Sequence, residues 1–151
     1  MKERSKFEPR KRARRRALQA LYQWQITRQE SVEIIRQFLE EQDFKNVDTD
    51  WFQMLLKGVI SEHAKLDEDL QPFLDRPSEQ LDLMELLILR MSAFELKNHP
   101  EIPCRVVLNE AIDLARRFGA ENGHSFVNAV LDKAAHQWRT DELTGRPEVS
   151  N

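Results

Sequence analysis

The chain has 151 residues, 40% of them hydrophobic and 32% charged, with a net charge of −3, which suits one soluble globular domain and excludes a disordered or fibrous chain. Its longest unbroken apolar run, Leu86 to Leu89, falls far short of the ~18 residues of a membrane span, and Met1 to Arg16 holds no apolar core of the signal-peptide kind, so the expectation is a cytoplasmic protein with no membrane association. Cys104 is the only cysteine, which rules out an internal disulfide and a zinc site of paired cysteines, and Leu with Ala outnumber Val, Ile and Thr by 29 to 19, a helical bias.

Every apolar segment long enough to judge follows a helical period. Pro9 can open a first helix with the apolar line Ala17, Leu18, Leu21 and Trp24, and Ser31 can cap a second carrying Ile34, Ile35, Phe38 and Leu39. Asp48 or Thr49 begins the longest pattern, Phe52, Leu55, Leu56, Val59, His63, Leu66 and Leu70, as one long helix or two joined by a kink, stopped by Pro72 and Pro77. Ser78 or Asp82 starts the next, whose apolar residues from Leu83 to Phe94 crowd nearly all faces and mark a central helix. Pro100 ends it. Pro103 reopens a helix through Val107, Ala111 and Leu114 that Gly119 can close, and Asn122 can cap a last helix through Phe126, Val127, Val130, Leu131 and Ala134.

The fold this predicts is all-α, a compact helical domain of about six or seven helices in two packed subbundles. Its domain spans residues 1–138, with an N-terminal subbundle over about 9–76 and a C-terminal one over about 78–138, divided by the proline-bearing linker from Gln71 to Pro77. Residues 139–151 read as a flexible polar tail.

No enzyme chemistry stands out. Gly58, Gly119, Gly123 and Gly145 make no phosphate-cradling loop. His63, His99, His124 and His136 have no metal-ligand spacing and Cys104 no evident activating base, so no catalytic residue, metal site or cofactor is expected.

Charge is distributed unevenly. Met1 to Arg16 carries nine basic residues against two acids, a balance of +7, and the remainder carries 14 against 24, a balance of −10. A dense arginine run wants a polyanion. On a helix, Lys11, Arg15 and Tyr22 fall on one stripe with Arg12 and Arg16 beside it. Cations beside an aromatic ring suit single-stranded RNA, the charges following phosphates and the ring stacking on a base. A merely solvated basic end, with Tyr22 as packing, is the competing reading.

Four separated motifs give the sequence a resemblance. Arg10-Lys-Arg-Ala-Arg14 with Ala17-Leu-Gln-Ala-Leu-Tyr-Gln-Trp24, Leu89-Arg-Met-Ser-Ala-Phe-Glu-Leu96, Pro103 with Val107-Leu-Asn-Glu-Ala111, and Phe126-Val-Asn-Ala-Val-Leu-Asp132 are similar, in order, to segments of the NusB family of transcription antitermination factors, over Arg10 to Ala135. The resemblance implies an all-helical, non-enzymatic factor that holds boxA-type single-stranded RNA together with NusE, a small-subunit ribosomal protein. Other Nus factors and RNA polymerase are then indirect partners, notably in ribosomal RNA transcription. It carries RNA-binding roles to Arg10, Lys11, Arg12, Arg14, Tyr22, His124 and Phe126, to which charge alone adds Arg15 and Arg16. Glu85 is the candidate contact for NusE, on the argument that an acidic surface suits a basic partner. The sequence departs from the family at Ser125, where relatives carry Lys, and at Ala129, where they carry Gly.

Two other functions share this fold. NusB-like domains also occur as RNA-binding appendages of ribosomal RNA cytosine methyltransferases, and a protein-binding adaptor could use the basic end as a nonspecific RNA tether. An amphipathic helical protein can also form a homodimer that hides Arg10 to Tyr22.

Overall fold

A computed structural model describes residues 2–144, with side chains described over 6–143. Among the described residues the apolar periodicities resolve into seven α-helices and no strand: α1 (Lys2–Thr27), α2 (Ser31–Glu41), α3 (Thr49–Leu70), α4 (Leu83–Asn98), α5 (Cys104–Phe118), α6 (Gly123–Trp138) and α7 (Thr140–Thr144). Single 3₁₀ turns at Gln71–Phe73 and Ser78–Gln80 lie between α3 and α4. None of these helices is long and apolar enough to cross a membrane. The chain forms two compact units, one ending at His63 and the other beginning at Ala64, so that α3 runs through both.

In the first unit α1 contributes Ala17, Leu18, Leu21 and Trp24 to the core, α2 contributes Ile34, Ile35 and Phe38, and the first half of α3 contributes Phe52, Leu55, Leu56 and Val59. Phe52 is stacked with Phe38 at 5.8 Å and meets the edge of Phe44 at 5.0 Å. Asp48 caps α3 by accepting the Trp51 N–H at 3.0 Å, and α3 continues unbroken to Leu70.

Two of the expected helix starts differ. Pro9 does not open α1 but lies inside it, and its carbonyl accepts the Asp48 N–H at 3.0 Å, a bond from the α2–α3 loop. Ser31 is the first helical residue of α2, not its cap. Glu30 holds the capping position in extended conformation and gives no side-chain bond.

In the second unit α4 is buried on every side from Glu85 to Leu96, as its apolar crowding predicts, and Asp82 caps it by accepting the Glu85 N–H at 3.2 Å. Helices α5 and α6 pack against it. The one strongly buried arginine of α4, Arg90, forks onto Asp67 at 2.7 and 2.8 Å. Asp69 receives Lys65 at 2.8 Å and Lys97 at 2.9 Å, and although burial opposes it, these two ammonium groups hold its carboxyl below the usual range.

The sequence reading of a loose tail from residue 139 is corrected over residues 139–144. Arg139, only 8% exposed, donates to the carbonyls of Leu96 at 2.9 Å, Ile102 at 3.0 Å and His99 at 3.1 Å, and to Glu142 Oε1 at 2.6 Å. Glu142 Oε2 accepts the Cys104 N–H at 2.6 Å. One arginine thus satisfies carbonyls left over at the C-terminal end of α4, and one carboxylate satisfies an amide at the start of α5. A planar guanidinium fits this fan of acceptors, and residue composition alone gives no sign of it. Residues 145–151 of the expected tail lie outside the described residues.

Candidate nucleic-acid interface

The basic segment of α1 divides into three groups by its position around the helix. Arg10, Arg14, Ala17 and Leu21 stand at steps of four, three and four, which places both arginines on the core-facing stripe. Arg14 is accordingly 3% exposed. Arg10 is half-buried, its guanidinium 3.9 Å from the centre of the Trp51 ring and its Nε 3.6 Å from Asp48 Oδ2, a cation–π contact worth about 0.5–2 kcal/mol. The arginine run is therefore not wholly solvent-facing, Arg14 being buried and Arg10 half-buried.

Arg12 and Arg16 form the second group, along the α2–α3 loop. Arg12 reaches the Asn46 carbonyl at 3.4 Å, and Arg16 donates to the Asp43 carbonyl at 2.9 Å while lying 5.6 Å from the centre of Phe44. Both acceptors are neutral, so both guanidiniums keep their charge for another anion. The third group is the stripe of Lys11, Arg15 and Tyr22. The two cations are half-buried and the Tyr22 ring is 45% exposed. Ile26, one turn further along the same stripe, is exposed as well.

His124 and Phe126 belong to the second unit, in the first turn of α6, and both are half-buried. The Phe126 ring forms a wall of a cavity of about 210 Å³ with Pro72, Phe73, Leu74, Asp75, Ala129, Val130 and Lys133. Arg76 lies over that ring with its guanidinium 5.0 Å from the centroid, and forks onto Asp75 at 2.7 and 3.2 Å. Sequence reasoning missed Arg76, because Gln71 to Pro77 reads only as a linker. The two residues departing from the family pattern, Ser125 and Ala129, are both exposed, and the Ala129 methyl faces the cavity rather than the core.

Glu85, the candidate partner contact, is only 7% exposed. Its carboxylate lies against Gly123, where any Cβ would clash with it. Burial, then the neighbouring Asp82, push its carboxyl above the usual range, with the Ala120 N–H and Arg76 pulling the other way. A structural tie between α4 and the α5–α6 turn is what this geometry provides. The Cys104 thiol is also buried, and burial followed by Glu142 raises it.

The family model described as "NusB family" matches residues 11–136. The chain belongs to the NusB family. It is 53% identical over 137 residues to the transcription antitermination protein NusB of Nitrosococcus oceani, a match covering 91% of this chain and 92% of that one. With the protein of the same name from Xanthomonas axonopodis it is 50% identical over 133 residues, 88% of this chain and 84% of the relative. The solved structure of T. maritima NusB is similar at a TM-score of 0.75 and 28% identity, over 85% of this chain and 92% of that one. The all-helical NusB fold expected from the four motifs is thus the fold observed.

Proposed function

We propose that this protein is a transcription antitermination factor that holds boxA-type single-stranded RNA jointly with NusE, within a Nus complex on RNA polymerase in the cytoplasm, notably during ribosomal RNA transcription. The observation that carries this reading is the exposed Tyr22 ring on the stripe of Lys11 and Arg15. An exposed ring flanked by cations stacks a base while the charges follow the strand. Arg12 and Arg16 widen the cationic track, and Arg10 and Arg14 act from beneath it by setting the path of α1. In the second unit His124 and Phe126 supply the remaining contacts.

Membership of a family whose named relatives are antitermination proteins supports the same reading. The test is binding of a short boxA RNA and a scrambled control at 100 mM salt, with and without NusE. A preference for boxA that tightens with NusE is expected. Equal weak binding that NusE leaves unchanged would overturn it in favour of an adaptor with a nonspecific basic tether.

A further inference from the structure

Phe126 is expected to stack on RNA, and Arg76 already lies over its ring. We infer that Arg76, held over Phe126 and forked onto Asp75, is itself the surface on which an RNA base stacks at this part of the protein. The inference rests on the RNA-binding reading above and adds a residue to it.

Three constraints fix the guanidinium. Its central carbon lies over the Phe126 ring, 5.0 Å from the centroid. The edge bearing Nε and Nη2 is taken up by the two Asp75 oxygens at 2.7 and 3.2 Å. The backbone is held too, since Gln71 Nε2 donates to the Arg76 carbonyl at 3.1 Å and Pro77 fixes the next φ. The side chain is nonetheless 42% exposed, so a ligand can reach it from solvent. Little rotamer freedom remains to be lost when a flat ligand lands there.

Chemistry then selects a base over a phosphate. Asp75 takes the Nε–Nη2 edge, so a phosphate is limited to the Nη1 side of the guanidinium and would meet that carboxylate's charge there. Asp75 is held below its usual range by Arg76, so it stays ionised at neutral pH. A nucleobase needs only the open plane, and guanidinium planes are stacking surfaces for unpaired bases.

The experiment is RNA binding by the full chain with NusE, measured from 50 to 200 mM salt, for the wild type, Arg76→Ala and Arg76→Lys. Stacking predicts that both variants bind boxA RNA roughly 5- to 150-fold more weakly. It also predicts that the salt slope stays at the wild-type value, because no phosphate contact is lost. Lysine keeps the charge without the plane, so rescue by Arg76→Lys would overturn the proposal, as would a slope shallower by about 0.7 in Arg76→Ala, the signature of a phosphate contact. RNA binding that is unaltered while NusE affinity falls would reassign Arg76 to the protein partner. A wild type with no preference for boxA would instead overturn the RNA-binding function itself. Arg76 is exposed, and thermal melts that match the wild type verify that the variants are folded.

Discussion

The Glu85 carboxylate fills the space that a side chain at residue 123 would need, so any Cβ at the first residue of α6 has to displace it. Gly123→Ala is expected to push the buried carboxylate out of its place and to cost about 1–3 kcal/mol, the usual penalty of overpacking. Thermal melting checks this. Combining Gly123→Ala with a shortened Glu85→Ala should recover part of the loss, as coupled neighbours do.

Glu85 also gives a pH dependence of definite sign. Its carboxyl is raised in the folded protein, so the ionised form is disfavoured by folding and its cost is present above the raised value. As pH falls through that value the group protonates and the cost disappears, levelling off below the ordinary carboxylate range. Glu85→Gln should therefore be stabilised relative to the wild type at neutral pH, and the gap should close on acidification. Denaturant unfolding of both proteins across that range measures it, and a gap that widens towards acid would contradict the burial argument.

Arg139 makes the opposite case, a charge whose removal leaves acceptors stranded. Arg139→Ala should lose about 2–3 kcal/mol or more because the Leu96 and Ile102 carbonyls are left without this donor. Arg139→Lys should rescue little, since one ammonium cannot span the fan. Glu142 is lowered although burial opposes it, because the Cys104 N–H and Arg139 favour its charged form. Its stabilising effect is present above the ordinary carboxylate value and is lost as pH falls through the depressed one. Hydrogen exchange at the Cys104 amide reports both effects.

Tyr22→Ala should weaken RNA binding by about 1–3 kcal/mol while leaving the melting temperature unchanged. Arg14→Ala should do the reverse and lower stability first, because the side chain is buried. If Lys11, Arg12, Arg15 and Arg16 are the α1 residues meeting phosphates, the single-strand relation gives a slope of about −2.8, or roughly fiftyfold weaker binding between 50 and 200 mM salt. A salt titration with the four substituted singly separates them from Arg10 and Arg14.

Where the sequence carried a period, it was readable. The extent of α3 to Leu70 and the all-round burial of α4 follow from spacing, and so do the buried Leu18 and Leu21, whereas spacing left open whether α3 is one helix or two and whether Asp48 or Thr49 begins it. The same period places Arg10 and Arg14 on the core side of α1. Counting the arginines as one charged block hides that, because net charge has no direction around a helix. Tertiary bonds were not readable. Pro9 sits within α1 with its carbonyl bonded to the distant Asp48 amide, α7 is secured by Arg139 reaching back to α4, and Arg76 covers Phe126 across fifty residues of chain. Each joins segments with no common period, and so leaves no local trace.

The reach of Arg139 to Leu96, 43 residues back along the chain, bears on how the protein is made. While the polypeptide emerges from the ribosome, α4 and α5 can coil and collapse early, but the α4–α5 connection still awaits its donor. The second unit can complete its bonding only after Arg139 has been synthesised. Released chains ending just before Arg139 and just after Thr144 should differ sharply in their resistance to protease at this connection, while Leu18 and Phe52 in the first unit are protected in both.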